Sequence, residues 1–379
     1  MKKINHAGRK PRPQLKIAVD CGAISFQDKR AQGGLATICT NLLVQLSLLD
    51  QRNQYDLYSF APLTKSIVSH FERRVNLRVL SPSYGYKTIR LPLALWLDKP
   101  DVFLALAQAV PAFGVSRVIG FLYDLAFIKF PEAYQNNQAL KRQTDELVEK
   151  SAHLITISEA SKLDIMENYH VPSERITVLY PGVSPAYTPD GSKYVQLEPY
   201  FLYVGQLKKT KNIPRLLEGF AEFLKTSKRS YQLVLVGSDL QLDSGIPHTI
   251  KRLGLQKRVI SKGYLRMSEL PKYYRGATAF ISPALYEGFG LPLIEALRSG
   301  TPVITGNSSS MPEIVGDAGL TINVSSSEHI ALALTQVAEN EQLRQQLIKK
   351  GFARAKDFSW RTFARGVLDV INKYSFSKT

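Results

Sequence analysis

Short β-rich runs alternate with longer helical ones in this chain, and the alternation is played through twice. IAVD (Ile17–Asp20) reads as a strand; a loop bearing Gly33 and Gly34 follows, and Leu35–Leu49 carries apolar residues at helical spacing. YDLYSF, LRVL, DVFLAL and RVIGFLYD read as further strands. HLITIS (His153–Ser158) comes next, then helix EASKLDIMENY, and ITVLYPG closes on a Pro-Gly turn. The Pro- and Gly-rich stretch VSPAYTPDGSKYVQLEP interrupts the pattern and marks a boundary. The alternation restarts with YFLYVG (Tyr200–Gly205), helix IPRLLEGFAEFLKTS, QLVLVG, a helix near Ile250–Leu253 and RVISKGYL. It continues through SELPKYYRGA, AFISPA, PLIEALRSG and PVIT. Strands joined by helical crossovers build parallel sheets, so an α/β class with two such units is predicted. The end of the chain is helical, Glu328–Lys350 and then Phe358–Tyr374. In the last helix Phe363, Val367, Val370 and Ile371 share one face that needs a partner surface.

Composition limits what those units can do. With 379 residues, 44% of them hydrophobic, the chain can build large cores without disulfides or metals and is too apolar for wholesale disorder. Its two cysteines, Cys21 and Cys39, read as free buried thiols of a reducing cytoplasm. No apolar run approaches the roughly 20 residues of a membrane span: Leu91–Leu97 holds Pro92 and ends at Asp98. The opening MKKINHAGRKPRPQLK reads as a disordered basic arm and lacks the apolar core of a signal peptide. Lys and Arg number 49 against 32 Asp and Glu, a net charge of +17 that favours anionic partners: nucleic acid, an acidic membrane surface or phosphorylated substrates. Residues 1–120 hold 17 of those cations and 7 of the acids, so +10 lies in a third of the length. No helix-turn-helix, RRM or KH signature accompanies the charge, which argues against nucleic acid. The six histidines show no ligand spacing and no Asp-x-Asp sits at a strand end, so no metal and no cofactor is expected.

The strongest motif is YEGFGLPLIEALRSGTPVIT, Tyr286–Thr305. Gly288 and Gly290 let a loop pass close to a ligand, and Pro292 suits the first turn of a helix. The free backbone donors at that helix start, about Gly290 to Leu293, suit a phosphate. Two carboxylates flank it, Glu287 in the loop and Glu295 in the first turn. Carboxylates beside a phosphate site accept from hydroxyl groups, as a sugar and a ribose offer. Either Glu alone could be a solvated loop residue or a helix-dipole partner.

That string resembles the signature of the retaining glycosyltransferases of family 4 (glycosyl transferases group 1), which have the GT-B fold. The resemblance implies two facing Rossmann-like domains with a central interdomain cleft and a C-terminal helix crossing back. The boundaries expected are 1–190 for the N-terminal acceptor-side domain and 191–356 for the nucleotide-sugar domain, with helix 357–379 packing on the former. By position, Glu287 would face the donor sugar, Glu295 the ribose hydroxyls, and the backbone of Phe289, Gly290 and Leu291 the sugar and diphosphate. YFLYVGQLKKTKNIPRLLEGF looks like the family's strand-loop-helix, in which Gly205 and Lys211 match. Lys211 would neutralise the diphosphate leaving group. Thr210 departs from a frequent Arg, with Lys208 or Lys209 as substitutes. Gly263, Tyr264 and Leu265 lie where the family reads the base, although a Tyr there could equally be core packing. Glu313, in GNSSSMPEIVGDAGL, is taken as structural.

The N-terminal half is similar more loosely. Gly33 and Gly34 sit where the family has an acceptor-side loop. In FLYDLAFIKFPEAY, Asp124, Leu125, Pro131 and Glu132 match, and Tyr123 replaces a His that contacts the donor sugar. Asp124, Glu287 and Lys211 are the expected catalytic groups. The resemblance implies retaining hexosyl transfer from GDP-mannose or a UDP-hexose to a glycan or lipid-linked acceptor, independent of metal, in surface polysaccharide or glycoconjugate synthesis. The alternatives are a catalytically silent nucleotide-sugar binder and, further off, a basic nucleic-acid-binding protein. A cytoplasmic location is expected, with peripheral attachment to an anionic inner membrane face as its extension.

Overall fold

A computed structural model describes residues 13–24, 33–63, 67, 69, 74–107, 110–115, 117–237 and 245–375. All but the end of the basic N-terminal arm lies outside the described residues. Seven strands form the first sheet: β1 (Lys16–Asp20), β2 (Gln54–Ser59), β3 (Val75–Val79), β4 (Val102–Ala105), β5 (Val118–Phe121), β6 (Ser151–Thr156) and β7 (Ile176–Val178). Their order is β3-β2-β1-β4-β5-β6-β7. The second sheet contains β8 (Tyr200–Val204), β9 (Gln232–Val236), β10 (Val259–Gly263), β11 (Ala279–Ser282), β12 (Val303–Gly306) and β13 (Gly319–Ile322), ordered β10-β9-β8-β11-β12-β13. Both sheets are parallel. In each, the winding direction reverses beside the first strand, which leaves a crevice outside the strand C-termini where doubly wound folds bind ligands.

The central strands are apolar on both faces because helices cover both: every residue of VFLA in β4 is buried, as are the first four of YFLYV in β8. Helix Ile213–Thr226 turns Ile213, Leu216, Leu217, Phe220 and Phe223 inward at helical spacing. Its aromatic residues lock into the second sheet, where Phe201 lies edge-on to Phe223 at 5.4 Å and stacks on Tyr231 at 5.3 Å. Such aromatic pairs add about 0.5–1.5 kcal/mol each beyond area burial.

The chain divides into two compact units. The first comprises 1–121, 149–153 and 368–379; the second comprises 122–148 and 154–367. The apolar face expected of the last helix, Trp360–Ser375, is buried: Phe363, Val367, Val370 and Ile371 are all at most 6% exposed. Its end belongs to the first unit, where Tyr374 stacks on His153 and the Ser375 carbonyl accepts from Arg117. Ser158 caps helix Glu159–Tyr169 by accepting from the Ser161 N–H at 3.0 Å.

Three elements go beyond the sequence reading. LPLALWLD, considered there only as too short for a span, is a helix, Leu91–Asp98; Pro92 falls in its first turn, where the missing N–H costs nothing. Asn137–Lys150 is a second helix, and GLTI forms edge strand β13. Cys21 and Cys39 are free and buried. No helix among the described residues is long and apolar enough to cross a membrane.

Candidate functional site

In the second unit the loops at the C-terminal ends of β8, β9 and β10 are drawn together by backbone. The Gly205 N–H donates to the Val236 carbonyl at 2.9 Å, and the Gly237 N–H to the Gly263 carbonyl at 2.8 Å. Gly237 sits at φ 142°, and a Cβ there would fall 1.8 Å from the Gly205 carbonyl oxygen, so no side chain fits. Gly205 and Gly263 thus lie along one row of strand ends. Beyond them Tyr264 is 50% exposed, which excludes the core-packing reading for it, and Leu265 is half-buried.

The loop after β8 and the loop after β11 meet through the Leu285 N–H, which donates to the Thr210 carbonyl at 2.9 Å. That contact aligns Lys211 with Glu287, and the two form a half-buried ion pair. Thr210 itself is 2% exposed and turned inward. Of the two candidate substitutes for its charge, Lys209 is exposed to solvent, whereas Lys208 is half-buried and near Asp124 and Glu287. Burial lowers the Lys208 pKa, and neighbouring Lys211 adds to that shift. The Lys208 ammonium lies 5.3 Å from the Tyr134 ring centroid, and both residues line a cavity of about 360 Å³ together with Gln135, Asn136 and Gln206.

Asp124 completes the group. A Cβ on Gly288 would lie 2.8 Å from the Asp124 Cβ and 3.0 Å from the Tyr123 carbonyl oxygen, so the glycine allows the Glu287 loop to rest against Tyr123–Asp124. Burial pushes the Asp124 carboxyl above its usual range, opposed by the Ala126 N–H, Lys208 and Lys211. Two carboxylates and two ammonium groups therefore share a poorly hydrated place, which strengthens every charge interaction within it.

Hydroxyls missed in the sequence hold the loop. Ser309 and Ser310 donate to the Glu287 carbonyl at 2.6 and 2.8 Å, and Ser310 also reaches the Phe289 carbonyl at 3.2 Å. Tyr286 donates to Asp164 at 2.7 Å. The SSS run was visible as part of a motif, but its spacing from Glu287 gives no hint of these bonds. Glu313, read as structural, accepts from the N–H groups of Glu159 and Ala160 at the start of a helix.

Phe289, Gly290 and Leu291 form the entry to helix Leu291–Arg298, with Gly290 at φ 91°. One expectation needs correction: Glu295 is the fifth residue of that helix, not part of its first turn. Its carboxylate instead accepts from the Tyr274 hydroxyl at 2.9 Å. Burial raises its pKa to about 7, while the phenol hydrogen bond pulls the other way. Gly33 and Gly34 lie in the first unit at the start of helix Gly34–Leu49, and the other candidates all lie in the second. Among the described residues no group of three or more His, Cys, Asp or Glu gathers as metal ligands would. A cavity of about 830 Å³ at Leu197, Gln232 and Arg258 opens at the wrong end of the second sheet, beside the N-termini of β8, β9 and β10.

Comparison with known proteins finds similarity to glycosyltransferases in sequence and in fold. The chain is 28% identical over 257 residues to O-antigen chain mannosyltransferase B of Escherichia coli, covering 65% of this chain and 68% of the relative. It is 28% identical over 202 residues to O-antigen chain mannosyltransferase RfbU of Salmonella typhimurium, covering 53% and 55%. Among solved structures, sucrose-phosphate synthase from Thermosynechococcus elongatus superposes with a TM-score of 0.75 at 19% identity, over 95% of this chain and 99% of the other. Anabaena Alr3699/HepE in complex with UDP-glucose gives 0.73 at 17%, over 95% and 100%. The likeness to these solved structures shows the GT-B fold, with two Rossmann-like domains. The family model described as glycosyl transferases group 1 matches residues 192–354, so the loops that carry Gly205, Lys211, Gly263, Glu287 and Glu295 all fall within the segment that is a group 1 glycosyltransferase match.

Proposed function

We propose that this protein is a retaining glycosyltransferase that moves a hexosyl group from a nucleotide-diphosphate sugar to a glycan or lipid-linked acceptor in surface polysaccharide synthesis. The carrying observation is the half-buried Lys211–Glu287 pair beside Asp124, at the strand ends where a doubly wound fold receives ligands. The two O-antigen mannosyltransferase relatives favour mannosyl transfer, and GDP-mannose and a UDP-hexose are the candidate donors.

The chemistry follows from the charges. As the anomeric carbon–oxygen bond breaks, negative charge grows on the diphosphate. Lys211, with Lys208 behind it, and the N–H groups opening helix Leu291–Arg298 stabilise that charge. The acceptor hydroxyl adds to the same face of the sugar and gives its proton to the departing phosphate oxygen, so the configuration is retained. Glu287 orients Lys211 and accepts from sugar hydroxyls, Asp124 does the same from the opposite loop, and Glu295 takes the ribose hydroxyls. No metal is assigned a part, and positioning supplies much of the rate. Tyr123 in place of the family's His favours a second reading, a protein that binds the donor without transferring it.

A thermal-shift screen of nucleotides and nucleotide sugars tests the reading, since a ligand that binds only the folded state raises its midpoint. Stabilisation by GDP or UDP and their sugars, with donor turnover lost in Lys211→Ala and Glu287→Ala, supports transfer. Stabilisation without turnover across many acceptors supports the silent reading, and no stabilisation by any nucleotide rejects both.

A further inference from the structure

The first unit carries an apolar surface that the proposed chemistry does not use. Helix Leu91–Asp98 is apolar nearly all round. Leu91 and Leu95 are fully buried, but Leu93, Trp96 and Leu97 project outward at 47%, 57% and 64% exposure. The π-helical turn Tyr86–Arg90 runs directly into this helix and adds Ile89, which is also exposed. Ile89, Leu93, Trp96 and Leu97 follow the i, i+4, i+7, i+8 spacing of one helical face. The turn 112–114 packs against that helix, because a Cβ on Gly114 would fall 2.7 Å from the Trp96 amide nitrogen, and it presents exposed Phe113 alongside.

The rim is basic. Lys87 stands one turn before the helix and Arg90 directly before it, both half-buried, with the Arg90 guanidinium donating to the Leu80 and Pro82 carbonyls, and exposed Lys99 follows directly after the helix. The acid at the helix end, Asp98, is already engaged by Arg78 at 2.7 Å and by the Tyr58 hydroxyl at 2.8 Å. A contiguous apolar patch marks an interaction surface. Large aliphatic residues with a Trp, ringed by cations, match the boundary between lipid acyl chains and anionic headgroups.

We infer that the outward face of Tyr86–Asp98, centred on Trp96, docks the first unit on an anionic lipid bilayer. Charge complementarity selects this occupant: the patch is rimmed by cations and the first 120 residues carry +10. The inference bears on the proposed lipid-linked acceptor, but binding is read without sugar transfer, so either can fail alone.

The chain has two tryptophans, and Trp360 is buried, so Trp96 reports this face by fluorescence. Titration with phosphatidylglycerol-containing vesicles is expected to shift Trp96 emission to the blue, with no shift for pure phosphatidylcholine. The variant Trp96→Ser/Leu97→Ser should cosediment with the anionic vesicles at least roughly tenfold less, the scale of two lost apolar burials. Lys87→Gln/Lys99→Gln should weaken binding and its salt dependence. Trp96, Leu97 and Lys99 are exposed and Lys87 is half-buried, and an unchanged thermal midpoint confirms that the variants fold. Equal binding of the serine variant and the parent overturns the inference, as does a parent dimer that the serine variant converts to monomer without lipid binding, which assigns the face to a second copy.

Discussion

Two glutamates, Glu287 and Glu295, stand eight positions apart on either side of one helix start, and their surroundings are opposite. Glu287 pairs with a lysine, and its loop is fixed through its carbonyl by two serines. Among the described residues no salt bridge joins Glu295 to a cation; it rests against the buried Tyr274 hydroxyl, with its pKa raised to about 7. One site holds charge ready, and the other holds a carboxyl near its switching point. The repeated glutamates of this string are therefore two devices, one electrostatic and one tunable, despite identical side-chain chemistry.

The largest effect is expected on the charged side. Lys211→Ala removes the cation facing Glu287 and should lower donor turnover by about 10²–10³-fold, the scale of losing one preorganised charge-stabilising donor. Release of nucleoside diphosphate from labelled donor measures it, and a loss below threefold would break the assignment of Lys211 to the leaving group. Gly288→Ala should come next. Its methyl would meet the Asp124 Cβ at 2.8 Å, so one of the two loops must move, and displacements of about 1 Å cost on the order of 10²-fold in rate. An unchanged rate would show that the Asp124 contact does not position the chemistry.

Predictions on the tunable side are smaller and depend on pH. A carboxyl raised from about 4.5 unfolded to about 7 folded keeps its proton in the native state where the denatured chain has released it. Its contribution to stability is full below pH 4.5 and declines as pH rises through 7. Comparing thermal midpoints from pH 4.5 to 8, Glu295→Gln should lack this decline. Nucleotide affinity should run the other way, rising through pH 7 as the carboxylate becomes able to accept from two ribose hydroxyls, and Glu295→Gln should flatten that rise as well. The smallest effect is Tyr274→Phe. Losing the 2.9 Å hydrogen bond removes a stabiliser of the charged form, so the pH midpoint of nucleotide binding should move upward, while turnover at pH 8 stays within a few-fold.

The same contrast separates what could be read from the residues from what could not. Period and punctuation delivered both doubly wound sheets, because strands buried on both faces read as short apolar runs. Gly205, Lys211 and the Glu287 loop were legible because each is a local string of residue types. What escaped was partnership across sequence distance. Glu287 meets Lys211 from 76 residues away, Tyr286 meets Asp164 from 122, and Glu295 meets Tyr274 from 21. Thr210 appeared to be a missing charge, but it is interior, and Lys208 occupies the charged cluster. Helix Leu91–Asp98 was hidden because apolar residues on both faces erase the periodicity that usually announces an amphipathic helix. Glu295 was placed one turn early because a helix start is set by backbone geometry at Gly290, which residue types only suggest.

The central claim is that the Lys211–Glu287–Asp124 group receives the diphosphate of a nucleotide sugar. Calorimetric titration of the parent and of Lys211→Ala with GDP and with UDP tests it directly. Saturable binding of one of the two nucleotides by the parent is expected, weakened at least roughly tenfold in the variant, as loss of a charge-assisted contact worth about 1.5–3 kcal/mol requires. Equal affinity of the two proteins for that nucleotide would contradict it.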